Sequence, residues 1–125
     1  LSIHDARPVC LEDDHRAGIP ISLHSDMPRA PGAPLQLMHS AVNRINFTNK
    51  VAGPDQRISP KQALRAVTSN AAYTLRMEKD YGSISIGKHA NFTLLGENPL
   101  TTNPLKIKEI EVRGTMVEGR HFPIN

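Results

Sequence analysis

The stretch IPISLHSDMP, residues 19–28, decides how the rest of the chain is to be understood. Ile19, Ile21 and Leu23 alternate with Pro20, Ser22 and His24, the period of a strand buried on one face. Pro20 has no amide hydrogen to give to a ladder and fits best at the start of such a strand. The spacing therefore predicts a strand over 19–24 in which Ser22 and His24 share a face. Asp26 joins that face where the extended geometry persists to it. Asp followed closely by Pro is also ordinary turn punctuation, so residue type alone leaves Asp26 between a turn former and a chemical group.

Upstream of this stretch, a short helix is predicted over 9–17, entered through Pro8 and left through Gly18. After the strand comes the Pro- and Gly-dense loop MPRAPGAP, and then a helix over 34–45 whose apolar residues Leu35, Met38, Val42 and Ile45 recur at spacings of three and four. The helix over 60–75 has the clearest start: Ser59 as N-cap, Pro60 at the first helical position and Gln62 placed to complete a capping box. Its face of Leu64, Val67, Ala71 and Leu75 is widened by Ala63, Ala66 and Ala72, small residues that allow close packing. Beyond Tyr81 glycines punctuate short runs rich in Ile, Val, Phe and Thr. Strands are expected at 91–95, 107–113 and 115–117, the last turning through Glu118-Gly119 towards His121 and Phe122.

With 125 residues, the chain has one domain's worth of sequence and room for a modest core. Hydrophobic residues at 38% and charged residues at 22% argue against disorder, and no apolar run approaches the roughly 18 residues that cross a bilayer. The net charge of +3 comes from 15 basic and 12 acidic residues that are interspersed, as in KIKEIEVR, which describes a solvated surface and not a phosphate-binding stripe. With no Trp, two Tyr and three Phe there is little to stack on bases, so a nucleic-acid partner is not expected. Cys10 is the only cysteine, which rules out an internal disulfide and a cysteine-built zinc site and makes a reducing, cytoplasmic compartment the simpler expectation. The chain opens on Leu1 with no signal-peptide pattern after it, and the expectation is an internal piece of something longer.

Three stretches in this order resemble the carboxyl-terminal part of metal-dependent amidohydrolases, the branch that includes N-substituted formamide deformylase. They are HSDMP at 24–28 with AVNR at 41–44, then ISPKQALRAVTSNAAYTL at 58–75, then GSISIGKHANFTLLGENPL at 82–100 finished by VRGTMVEGR at 112–120. The resemblance covers nearly all of the chain from Ile19 onward. It implies an α/β architecture, the end of a (β/α)8 barrel over 1–78 with 19–24 as its last strand, and strands of a small β-sandwich over 79–125. It also implies that Asp26, just past the end of the last barrel strand, is the metal-site aspartate. Barrel enzymes place their chemistry at that rim, where loops vary while packed strands hold side chains rigidly.

An aspartate in that place does two things: it ligates a divalent metal, zinc being the expected one, and it accepts a proton from the water that attacks an amide-like carbonyl. His24 stands between a weak ligand, a neighbour of the ligand and a hydrogen-bonded wall residue. His24, Ser25 and Met27 are candidates for lining a small-molecule substrate cavity. His4, His15, His39, His89 and His121 are scattered without a metal-binding pair spacing and are expected at the surface. GSISIGKHANFTLL lacks the order of a phosphate-cradling loop and is expected to be turn chemistry.

The chain departs from the resemblance in two ways. Asn91 stands where the family's Gly-Lys-x-Ala-Asp pattern has Asp, which puts a local hydrogen bond in question. The family's other ligands, a His-x-His pair, a carboxylated Lys or Glu and two further histidines, have no counterpart. Catalytic metal sites usually take three protein ligands, so the isolated chain is expected to hold no metal and to be silent, the missing amino-terminal part of a parent hydrolase being its partner. Bare strand edges predict self-association of the isolated piece. The alternative is a stand-alone α+β module for packing or partner binding.

Overall fold

The computed structural model describes residues 10–28, 31–46 and 48–124. It is a small mixed α/β structure: helices α1 (Leu11–Arg16), α2 (Pro34–Asn43), α3 (Pro60–Val67) and α4 (Ser69–Thr74) precede an antiparallel sheet of β1 (Phe92–Leu95), β2 (Val112–Val117) and β3 (Arg120–Pro123). Two 3-10 turns, Pro54–Gln56 and Pro104–Glu109, complete the order.

The strand predicted over 19–24 does not form: residues 19–26 carry no regular secondary structure. A strand is stabilised by its ladder, and here the backbone of this segment is bound by helices instead. The Leu23 amide donates to the Ala66 carbonyl at 3.2 Å, and the Asn70 side-chain amide donates to the Ile21 carbonyl at 2.9 Å. Burial nonetheless alternates with period two over 21–26, although Ile19, expected on the buried face, is exposed. Ile21, Leu23 and Ser25 are half-buried, while Ser22, His24 and Asp26 are exposed.

The other departures have local causes. The helix expected over 9–17 is shorter, and Val9 lies outside the described residues. Helix α2 stops at Asn43 because Arg44 takes a left-handed conformation, φ 57°, which sends Ile45 into an isolated bridge with Val51. The single helix expected over 60–75 is two, broken at Thr68 with φ −126° and ψ −94°. Residues 104–109 form a 3-10 turn in place of the first part of a strand. Pro104 starts it, the Asn103 side chain accepts from the Leu105 amide, and Ile107 and Ile110 fall at the three-residue period that this helix brings into line. Strand β2 then runs unbroken through Gly114, where an added Cβ would lie 2.8 Å from both the His121 ring and the Phe122 carbonyl.

Two sequence expectations are met closely. Ser59 accepts from the Gln62 amide at 3.3 Å and Gln62 accepts from the Ser59 amide at 2.6 Å, a complete capping box. Glu118 and Gly119, both at positive φ, turn β2 into β3. Asn91, in doubt as a hydrogen-bonding group, makes its bond: the Glu118 amide donates to its Oδ1 at 2.8 Å. An amide oxygen serves this turn as a carboxylate oxygen would.

The core gathers Leu11, Met38, Ala41, Val42, Ile58, Ala63 and Ile107, with Ile21, Leu23, Leu35, Leu64 and Val67 packed at its margin. Helix α2 is its centre, packed against α3 on one side and the 104–109 turn on the other. His39 and Arg44 are buried with it. His39 was expected at the surface, but it stands four residues after Leu35 and three before Val42, inside the apolar stripe. The Asn43 amide lies 3.1 Å from its Nδ1 and donates to the Pro104 carbonyl at 2.8 Å, tying α2 to the turn.

Burial, and secondarily the nearby charge of Lys108, hold the His39 pKa below the ordinary histidine value, against the opposing pull of the Pro104 carbonyl and Glu109. The unfolded chain then binds this proton more readily than the folded one. Stability contributed here is whole above about pH 6.5, the unfolded histidine value, and is lost as pH falls towards the folded one. Urea unfolding measured from pH 8 to 5 is expected to show this decline. The His39→Gln variant should flatten it, and an equal slope in both proteins would refute the assignment.

Candidate functional site

Segment 19–26 delivers its residues to a turn. Asp26 is exposed at φ 54°, a left-handed conformation that Asp tolerates better than most residues because its short polar side chain bonds locally. Its amide donates to His24 Nδ1 at 3.2 Å, so the His24 ring, when neutral, carries its proton on Nε2. His24 thus helps to close the turn that presents the carboxylate. The next described helix begins at Pro34, with Ala33 as its N-cap and no side-chain cap bond.

The four residues singled out from sequence are neighbours in the chain and differ in setting. His24 and Asp26 are exposed on the same side of the alternation, and Ser25 is half-buried on the other. Met27 is 69% exposed, and its sulfur lies where a Cβ on Gly32 would approach to 3.1 Å. A hollow of about 400 Å³ between Val42, Asn43, Ile45, Arg57 and the loop Asn103–Leu105 is lined by none of residues 22–27.

As a metal donor Asp26 fits in part. A carboxylate on an exposed turn is a suitable oxygen ligand for a divalent ion. Yet among the described residues no group of three or more His, Cys, Asp or Glu is placed to hold one. The described residues offer one donor of a set.

Two residues that sequence reasoning passed over stand behind the turn. Asn70 and Thr74, one helical turn apart on α4, reach residues 21 and 22: Asn70 Nδ2 to the Ile21 carbonyl, and the Thr74 hydroxyl to Ser22 Oγ at 3.2 Å. Their spacing in TSNAAYT placed two polar groups on one helix face, and that was the available signal.

The segment 82–90 is turn chemistry, as expected. Gly82 and Gly87 sit at φ 86° and 90°, and Lys88 Nζ donates to the Glu78 carbonyl and to the Tyr81 carbonyl at 3.1 Å. His89 stacks on Tyr81 with ring centroids 4.8 Å apart and pairs with Glu118 at 2.8 Å. Among the described residues no helix is long and apolar enough to cross a membrane.

The sequence model of the amidohydrolase family matches residues 15–122. The chain is 33% identical over 103 residues to the N-substituted formamide deformylase of Arthrobacter pascens, covering 82% of this chain and 19% of that protein. It is 35% identical over 78 residues to the imidazolonepropionase of Shouchella clausii (strain KSM-K16), covering 62% and 16%. The chain spans about a fifth of the length of these curated relatives. In fold it is similar to an amidohydrolase from Thermotoga maritima MSB8, with TM-score 0.69 and 20% identity over 91% of this chain and 26% of that one. It is also similar to the 5-methylcytosine deaminase of Klebsiella pneumoniae, with TM-score 0.61 and 17% identity over 99% and 31%.

Proposed function

The chain belongs to the amidohydrolase family, and on that basis we propose that it is the carboxyl-terminal part of a metal-dependent hydrolase acting on carbon–nitrogen bonds other than peptide bonds. In this proposal residues 1–78 belong to the end of a (β/α)8 barrel and 79–125 to a small β-sandwich. Asp26 is its catalytic residue, on a small amide-like substrate of the kind that an N-substituted formamide represents. The observation that carries the proposal is the exposed carboxylate of Asp26, set on a left-handed turn at the end of an alternating segment, inside the region that matches the family.

A divalent metal, zinc by expectation, would be held by Asp26 together with ligands from elsewhere in the parent protein, and when bound it supplies an activated water. The chain's own residues have narrower tasks. Asp26 accepts the proton of the attacking water, His24 holds the Asp26 amide, and Ser25 and Met27 stand beside the substrate. One carboxylate does not hold a catalytic metal alone, so the isolated chain is inactive in this proposal.

The complete protein, as purified, is expected to contain a divalent metal and to release amine from simple N-acyl and N-formyl substrates. Chelation should abolish the activity and zinc restore it. Purified protein that lacks bound metal and hydrolyses no carbon–nitrogen bond in such a panel would overturn the proposal. A second proposal, a packing or partner-binding module, is favoured by Ile84 and Ile86, which are 85% and 108% exposed. These residues, with the outer strands β1 and β3 each paired on one side among the described residues, also support self-association of the isolated chain.

A further inference from the structure

The break between α3 and α4 frees backbone and side-chain groups for one purpose. In an unbroken helix the Ala66 carbonyl would accept from the Asn70 amide four residues on. At the Thr68 break it accepts from Leu23 instead, at 3.2 Å. The first turn of α4 is redirected so that Asn70 Nδ2 meets the Ile21 carbonyl at 2.9 Å. One turn later the Thr74 hydroxyl meets Ser22 at 3.2 Å and the Asn70 carbonyl at 3.0 Å. Three consecutive residues of the segment, 21 to 23, are thereby fastened to two successive helices, Leu23 to the end of α3 and Ile21 and Ser22 to α4.

That fastening matters because the candidate site lies just beyond it. Leu23 is three residues from Asp26, and the Asp26 amide is itself closed onto His24. Residues 19–26 have no ladder to fix their direction. These two helices take over the work that neighbouring strands do in a sheet, and Asn70 is the half-buried side chain among them that bonds to the segment backbone.

From this arrangement we infer that Asn70, with Thr74 in support, is a positioning residue for Asp26: it sets where the carboxylate-bearing turn stands by holding the Ile21 carbonyl. The inference rests on the catalytic role proposed for Asp26. Groups that orient a metal ligand commonly change activity or metal affinity by about 10- to 100-fold when removed.

The test uses the complete protein. Asn70→Asp keeps the shape and removes the donor, placing an acceptor against the Ile21 carbonyl. Its kcat should fall by about 10- to 100-fold while KM moves by less than about threefold. Hydrogen exchange in a peptide spanning 19–28 should rise and that in 60–67 should stay as in the wild type. Thr74→Val removes an exposed hydroxyl and its bond to Ser22, and it should move both readouts in the same direction by less. This variant decides the matter if Asn70→Asp does not fold. Wild-type kcat in every variant that folds, with only a lower melting temperature, would overturn the inference as merely structural. Asp26→Asn separates the two levels. If it is inactive while Asn70 and Thr74 variants are normal, only the positioning role falls. If it keeps wild-type kcat, the proposal for Asp26 itself falls.

Discussion

Replacing Gly82 by alanine is expected to destabilise the fold by about 2–5 kcal/mol, the sum of a left-handed backbone penalty of roughly 1–2 and an overpacking cost of roughly 1–3. Gly82 has φ +86°, and a Cβ there would lie 2.6 Å from the Ala72 Cβ, 3.0 Å from the Ser69 Cα and 3.1 Å from the Thr68 carbonyl. Two of those three atoms are backbone and the third is the Cβ of a buried alanine, so no flexible side chain can swing away. Domains are stable by only about 5–15 kcal/mol, so the loss would be a large share of the total. Gly87 provides the control. Its φ is +90° but nothing lies within 4 Å of its added Cβ, so Gly87→Ala carries the backbone penalty alone. Urea midpoints at constant m-value measure both. Equal losses at the two positions would show that contact at Gly82 has no part in the effect.

Replacing Asp26 by asparagine is expected to do the reverse: leave stability within about 0.5 kcal/mol, as for most surface changes, and lower kcat of the complete protein by roughly 10²- to 10⁴-fold, the usual worth of a general base. Asparagine is the right probe because it is isosteric and equally tolerant of the left-handed turn at φ 54°. The exchange therefore isolates the charge and the proton-accepting oxygen from the backbone. Melting temperature and kcat are measured on the same preparation. Full activity with an unchanged melting temperature would remove Asp26 from the chemistry and leave it as turn punctuation.

What was legible in the sequence was local. Ser59, Pro60 and Gln62 announce a helix start through groups three residues apart, and the bonds they predict are made. Glu118-Gly119 announces a hairpin in the same way. The alternation was also legible as burial over 21–26, though not at exposed Ile19, yet the strand was not there, because a strand depends on neighbours that no local pattern records. The Thr68 break was hidden for a related reason. The apolar spacing of Leu64, Val67, Ala71 and Leu75 suggested one continuous helix despite the weak helix formers Val67 to Asn70 between them, and the interruption coincides with bonds to residues 21–23 and with the fit of Gly82, all distant in sequence. His39 could have been placed correctly, since its spacing from Leu35 and Val42 puts it on the apolar stripe.

Of the candidate site, the carboxylate and its turn were readable from SDMP. The bonds of Asn70 and Thr74 to residues 21 and 22 were not, because their polar groups look the same in sequence whether they face solvent or a segment some fifty residues away. Family likeness suggested the proposed chemistry, and the coordinates supplied the bonds to residues 21–23.

Because the Ala66 carbonyl accepts from Leu23 and Asn70 holds the Ile21 carbonyl, the loop and the start of the fourth helix are expected to open together. Whatever grips the loop from outside must then slow the fraying of α4 as well, and whatever unravels α4 must loosen the grip. An ion or substrate arriving at one end of this short lever would be felt, by mass action, as protection of amides at the other.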